Sequence, residues 1–496
     1  MSRTSEAPDT HRSSLITAYW RIALAATVFL ALLLMPPQPG LSTQGQRVLA
    51  IVATAVILWA TEALPVAVSS LAVVVLLNIT GGVRSPSEAA AGFSSPILYF
   101  LIGSQVMGAA VMQSGLAERL ATYLVNRSQG SPRKLTLQLL LALPFMAFLI
   151  PSAINRNTML IPAYEQVFRS LKVGKGDRLP RVIMLILGIL NPLASSAFMT
   201  GGLASMTTST LLGGFTWFGW FALMAVPNYL TMALGGAMIY LLYRPDGGEP
   251  QGHWDAEMHP ASRVPRPGSG VPTQYPAPSA RHSPLNRAER YTLLVIAATS
   301  LLWLTDFIHH WNAAIPALLA GTALMWPGVG VFTWKQFEKM VSWSNFFFLG
   351  ASLSLTQALI STGAANWFAQ GTLAILGNGM PSAVELALFV IAVTSVVHLA
   401  IPNQSACIAL LIPVVTALAH STQVNPMATG LIVGFVVDTV ILYQVQTVTV
   451  LIAYETGHFS TRDVFRVGLG MLALTVGIVL LVAIPWWGLL GLALAP

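Results

Sequence analysis

Runs of about 18 or more apolar residues recur along nearly the whole chain, and a run of that length crosses a bilayer as one helix. Nothing constrains the fold more. Hydrocarbon offers no partner to a backbone N–H or C=O, so only helices and closed barrels cross it. A barrel would read as short alternating segments, and those do not dominate here. The expected fold class is an all-α polytopic membrane protein. Apolar spans are expected at 17–35, 47–63, 66–80, 96–113, 183–200, 214–242, 291–307, 312–326, 343–360, 427–445 and 465–493. Two further apolar regions, 135–168 and 383–419, are interrupted in the middle by polar residues. If each is a re-entrant hairpin, eleven transmembrane helices remain. The first run follows a polar tail, residues 1–16, is too long for a signal-peptide core, and is expected to remain as a span.

Lys and Arg outnumber Asp and Glu by 25 to 18. With the N-terminus cytoplasmic, the inner segments collect Arg127, Arg133, Lys134, Arg169, Lys172, Lys175, Arg178 and Arg181. They also collect Arg244, Arg263, Arg266, Arg281, Arg287, Arg290, Lys335, Lys339, Arg462 and Arg466, while the outer loops hold Arg84, with Arg47 at a span edge. That asymmetry follows the positive-inside rule. It places the first hairpin on the cytoplasmic side, and the second hairpin and the C-terminus on the periplasmic or extracellular side. It also accounts for the positive charge without a nucleic-acid partner. Residues 243–290 are rich in Pro, Gly, Ser and Arg and read as a disordered cytoplasmic linker between halves 17–242 and 291–496. Cys407 is the sole cysteine, which excludes disulfides and cysteine-based metal sites within one chain.

The two interruptions are alike. "IPSAINRNTMLIP" runs from Ile150 to Pro162 and "IPNQSACIALLIP" from Ile401 to Pro413, so their flanking prolines stand at matching spacing. Each follows a similar apolar stretch, "GFSSPILYFLIGSQVMGAAVMQSGLAERLA" in the first half and "VSWSNFFFLGASLSLTQALISTGAANWFA" in the second. Copies on opposite sides of the membrane make an inverted-topology repeat, an architecture of secondary transporters. Two such tips would bring helix N-termini, freed carbonyls and Ser, Thr and Asn oxygens together near the midplane. Positive helix ends suit anions, and hard oxygen ligands suit a small cation such as Na⁺.

Individual residues sharpen this. An arginine at the centre of a membrane helix lies roughly 2.5–3.5 kcal/mol uphill on insertion scales, so Arg156 is expected to have a use at depth. Its planar fork suits a carboxylate, although snorkelling or structural pairing is the alternative. Asn155, Asn157 and Thr158 are as well suited to satisfying freed backbone as to binding ligand. His398 and Asp438 offer a proton-coupling route, or a buried polar pair joining two helices. Glu62 is expected in structural hydrogen bonding, Glu455 near the cytoplasmic interface, and most of the 13 tryptophans at the membrane interfaces. No nucleophile and base, and no His-Glu-x-x-His metal motif, suggests an enzyme, and His309–His310 fall in an outer loop. No cofactor is expected.

At this point the sequence resembles a known family, the divalent anion:sodium symporters that include the dicarboxylate and citrate carriers. "WATEALPVAVSSLAVVVL" from Trp59 resembles its early signature, and "GFSSPILYFLIGSQVMGAAVMQSGLAERLA" its fourth span with the following interfacial helix. "TWKQFEKMVSWSNFFFLGASLSLTQALISTG" resembles the second-half counterpart, and "YETGHFSTRDVFRVG" the entry to the last span. The resemblance implies an elevator-type homodimeric carrier in a bacterial inner membrane, moving a small di- or tricarboxylate or similar divalent anion with Na⁺ or H⁺. A Pro-Ser-x-x-x-Arg tip resembles the oxoglutarate, malate and citrate subgroup. Ser152-Ala153-Ile154 and Asn403-Gln404-Ser405 stand where the family carries Ser-Asn-Thr, and both depart from it. The implied substrate site comprises Ser152, Asn155, Arg156, Asn157, Thr158, Asn403, Gln404 and Ser405, with Thr207 and Thr208 in "TGGLASMTTST" and Gln446 and Thr447 in "LYQVQTVT". Cation coupling would fall to Ser152, Ser205, Asn403 and Ser405, together with His398 and Asp438. An arsenite, antimonite or Na⁺/H⁺ carrier of a related family, or an anion exchanger without cation coupling, is the alternative.

Overall fold

The computed structural model describes residues 10–117, 119, 131–150, 152–245, 284–376, 381–401 and 403–495. Most of the expected linker, and the tail up to residue 9, lie outside the described residues. Among those described, every regular element is helical. The first half runs α1 (Thr10–Leu34), α2 (Thr43–Thr61), α3 (Val66–Ile79), α4 (Pro96–Ser114), α5 (Pro132–Leu149), α6 (Ala153–Ser170), α7 (Arg178–Ser196), α8 (Leu203–Leu212) and α9 (Trp217–Tyr243). The second runs α10 (Arg287–Leu304), α11 (Ala314–Leu324), α12 (Trp343–Ser361), α13 (Ala364–Leu376), α14 (Ala383–Ala400), α15 (Gln404–Ser421), α16 (Pro426–Thr439), α17 (Val448–Glu455) and α18 (Thr461–Leu489).

Among the described residues, eight helices are long and apolar enough to cross a membrane, or nine if α12 and α13, bent by 73°, count as one. Other crossings expected from the sequence fall on shorter apolar helices such as α3, α11 and α16. Helix α10 begins at Arg287, ahead of the apolar run at 291, because Asn286 and Glu289 close a capping box. Glu289, nearly buried, also receives the Arg119 fork at 2.9 and 3.1 Å, which ties the segment after α4 to the start of the second half.

The halves interlock by exchange. Helix α4 packs on α11 while α12 packs on α3, and α8 packs on the hairpin arm α15 while α17 packs on the arm α6. The first exchange rests on missing side chains: a Cβ at Gly103 would lie 2.6 Å from that of Ala317, so α4 and α11 meet backbone to backbone. Several tryptophans expected at the interfaces are instead buried in helix packing, namely Trp59, Trp217, Trp220, Trp303 and Trp487. The indole N–H of Trp487 reaches the Leu223 carbonyl at 3.0 Å, which lets a polar atom enter an apolar core without penalty.

Candidate functional site

The polar inserts disrupt far less helix than their composition suggests. Helix α5 ends at Leu149 and α6 begins at Ala153; Asn155, Arg156 and Asn157 therefore stand on the opening turns of a helix, and Pro162 lies within it. The second tip repeats this, with α14 ending at Ala400, α15 starting at Gln404 and Pro413 inside α15. The backbones match closely. Ile150 sits at φ −123°, ψ 89° and Ile401 at φ −116°, ψ 93°. Ser152 and Asn403 are the helix caps, at φ −71°, ψ 114° and φ −78°, ψ 108°. Ser152 Oγ accepts the Asn155 N–H at 3.2 Å and Asn403 Oδ1 accepts the Ala406 N–H at 3.0 Å.

Side chains then separate the two tips. Arg156 is fully buried. Its Nε donates to Asn191 Oδ1 at 2.6 Å, one terminal nitrogen donates to the Ile150 carbonyl at 2.6 Å, and the other donates to the Asn191 carbonyl at 2.8 Å and Ser195 Oγ at 3.1 Å. All four acceptors are uncharged protein oxygens. Asn191 is the hub, since its Nδ2 also donates to the Ala153 carbonyl at 2.9 Å and Asn157 Oδ1 at 2.7 Å. Asn157 carries the chain of bonds into the second half, donating to the Thr449 carbonyl at 3.1 Å. Asn191 and Ser195 were missed at the sequence level because 183–200 reads as an unbroken span. The usable signal was Asn191-Pro192 within an apolar run: a π-turn, Ile186–Leu190, precedes it, and a proline has no N–H for the helix ladder.

At the second tip the Ile401 carbonyl faces His398 Nδ1 at 3.1 Å, and the buried Nε2 of that ring has no hydrogen-bond partner. Gln404 Nε2 donates to Asp438 Oδ1 at 3.1 Å. His398 and Asp438 thus have separate partners rather than forming the buried pair that is one sequence-level option. Glu62, expected to hydrogen-bond, is exposed and ends α2 in the left-handed region at φ 48°.

The break after α16 is braced by Gln446, whose Oε1 accepts the Leu442 N–H at 2.8 Å and whose Nε2 donates to the Val440 carbonyl at 3.1 Å. Thr447 caps α17, accepting the Val450 N–H at 3.4 Å. Thr207 and Thr208 are buried on α8, and Thr208 Oγ1 abuts Gly434 of α16. Ser205 Oγ returns to the Gly202 carbonyl at 3.1 Å, and Ser405 is buried in the first turn of α15. Thr158 is exposed and bonds the Asn155 carbonyl at 2.9 Å. Ser152, Asn155, Asn403 and Gln404 are half-buried at the two tips. A second contact unseen in the sequence joins the halves, His458 Nε2 to Glu165 Oε1 at 2.7 Å. Among the described residues, no three His, Cys, Asp or Glu side chains gather into a metal site.

The arrangement presents two helix N-termini with half-buried hydroxyl and amide groups, backed by a buried cation on one side and a buried carboxylate on the other. The chain is also similar to known proteins. A family model described as "Sodium:sulfate symporter transmembrane region" matches residues 16–493. The sodium-dependent dicarboxylate transporter SdcS of Staphylococcus saprophyticus is 22% identical, over 93% of this chain and 90% of its own. The L-tartrate/succinate antiporter of Escherichia coli is 22% identical, over 91% and 94%. The crystal structure of the Alcanivorax borkumensis YdaH transporter superposes with a TM-score of 0.52 at 15% identity, covering 97% of this chain and all of that one, a likeness of fold.

Proposed function

Because the chain belongs to the sodium:sulfate symporter family, a family of transporters and not enzymes, we propose that it carries a small di- or tricarboxylate across a bacterial inner membrane. The observation that carries this reading is the pair of matched hairpin tips, whose capped helix N-termini would stabilise carboxylate groups near the midplane. Arg156, buried at the first tip, brings a positive charge to the site, which adds to the attraction for an anion. The relatives named for dicarboxylates and for tartrate and succinate support the substrate class. Hairpins α5–α6 and α14–α15, with the broken pairs α7–α8 and α16–α17, would slide as one body against the remaining helices. Those remaining helices would also form the homodimer. The excess of Lys and Arg in the segments assigned to the cytoplasm supports an inside N-terminus and an outside C-terminus.

Coupling to Na⁺ or H⁺ would supply the drive. Asp438, held by Gln404 of the outer tip, is the group we assign to proton coupling. A second reading, exchange of one anion for another without a cation, is favoured by the protein donors already filling the space around the Ile150 carbonyl. Reconstitution into liposomes separates these readings. Radiolabelled succinate, malate, oxoglutarate, citrate and sulfate are offered under separate Na⁺ and H⁺ gradients, and again with unlabelled anion preloaded. Saturable uptake of at least one carboxylate is expected. Failure of every anion under every condition sinks the carrier reading, and uptake that requires preloading selects exchange.

A further inference from the structure

Away from the hairpin tips, the ends of three helices gather basic side chains around one tyrosine. Tyr243, the last residue of α9, is buried and donates its hydroxyl to Asp463 Oδ1, in the first turn of α18, at 2.8 Å. The guanidinium carbon of Arg181, near the start of α7, lies 5.5 Å from the centre of the Tyr243 ring. Arg244 follows Tyr243 directly, and Arg178 donates to its carbonyl at 3.4 Å. Arg462 and Arg466 stand one turn apart on either side of Asp463. Helix α18 holds this register against α9 through Gly470, where a Cβ would meet Met238 Sδ at 2.5 Å.

The charge there is unbalanced. Asp463 is committed to Tyr243 and to the N–H and hydroxyl of Ser460, at 2.8 and 2.7 Å. Asp177, just before α7, accepts the Gly174 N–H at 2.7 Å. Among the described residues, Arg181, Arg244, Arg462 and Arg466 enter no ion pair, and the buried Nε of Arg181 has no hydrogen-bond partner. Arg244, Arg462 and Arg466 are exposed. Beside them the exposed surface turns apolar: Arg462, Phe465, Arg466 and Leu469 share one face of α18, and Leu241 lies one turn before Arg244. A soluble anion has no use for that apolar strip. A phospholipid would set its phosphate against the guanidinium forks and its acyl chains along the leucine and phenylalanine side chains. We propose that the ends of α7, α9 and α18 bind the headgroup phosphate of an anionic phospholipid. The inference needs the membrane-spanning fold but no transport; on the topology proposed above, the lipid belongs to the inner leaflet.

The test needs no substrate. Purified full-length protein, stripped of lipid in detergent, is melted with increasing dioleoylphosphatidylglycerol, with dioleoylphosphatidylcholine, or with inorganic phosphate. Phosphatidylglycerol is expected to raise the melting temperature saturably by about 2 °C, and the other two to leave it unchanged. The double variant Arg462→Gln with Arg466→Gln should lose most of that gain. Without lipid it should melt within about 1 °C of the wild type, because both side chains are exposed. Lys335→Gln with Lys339→Gln makes the same charge change at two other exposed positions and should keep the gain. Should the arginine double variant not fold, Arg244→Gln alone is expected to raise the half-saturating phosphatidylglycerol severalfold. The proposal is overturned if phosphatidylcholine stabilises equally, or if the lysine variant loses as much as the arginine variant. It is equally overturned if inorganic phosphate gives the same gain, because the site then takes a soluble anion. A wild type that carries no anion would sink the carrier reading without touching these melting results.

Discussion

The two hairpin tips share a backbone and differ in chemistry. Ile150 and Ile401 adopt nearly the same conformation, and each leaves a carbonyl oxygen that its helix no longer satisfies. At the first tip that oxygen meets a charged fork that also grips the broken span α7. At the second it faces one imidazole nitrogen, and the tip reaches its own broken span through Gln404 and Asp438. The two tips therefore share geometry without sharing interactions. Lipid demands only that each freed backbone group be satisfied, and it leaves open how. At the first tip a guanidinium grips Asn191, Ser195 and the Ile150 carbonyl; at the second a neutral amide, Gln404, holds a carboxylate.

That asymmetry can be broken by mutation. Arg156→Ala should have the largest effect, on the order of 4 kcal/mol, because it leaves several buried oxygens unsatisfied and opens a cavity. A thermal melt in detergent reads it, together with loss of uptake in liposomes. An unchanged melting temperature would mean that the fork does not hold the tip. Asn191→Ala comes next, at about 2–3 kcal/mol, since it removes the acceptor of Arg156 Nε and the donors to Ala153 and Asn157. Combining the two should cost far less than their sum, and full additivity in that cycle would separate Asn191 from the clamp. At the second tip Asp438→Asn is nearly isosteric and should shift stability by no more than about 1 kcal/mol. Its expected signature is functional: uptake that no longer responds to an imposed pH gradient. Full retention of that response would remove Asp438 from coupling.

The sequence made the hairpins legible because prolines and amides inside an apolar run violate what lipid tolerates. It marked Arg156 for the same reason. It did not reveal what Arg156 grips, because Asn191 and Ser195 lie more than 30 residues further along and Asn191-Pro192 sits in a run that reads as continuous helix. Local pattern also overstated the breaks. At the first tip α5 runs to Leu149 and α6 starts at Ala153, since Ser152 supplies a cap at once and Pro162 is absorbed within α6. His398 and Asp438 read as potential mates because both are ionisable and apolar in context. His398 bonds within its own helix end, while Asp438 meets Gln404 across 34 residues, a contact that no short window of sequence contains. Glu62 shows the converse: its signature context suggested a bonded carboxylate, yet its role is a left-handed helix end.

The smallest effect tests the comparison most finely. His398 makes one hydrogen bond, to the Ile401 carbonyl, and buries a second ring nitrogen with no partner. Replacing it by phenylalanine strands one carbonyl but removes one stranded nitrogen, and it keeps an aromatic ring of similar breadth. A lost hydrogen bond and a relieved buried polar atom are each worth about 1–2 kcal/mol with opposite sign. His398→Phe should therefore melt within about 1 kcal/mol of the wild type. Removing the corresponding carbonyl partner at the first tip should cost several times more. If His398→Phe proves as damaging as Arg156→Ala, the second tip depends on its imidazole as the first does on its guanidinium, and equal backbone geometry then implies equal anchoring.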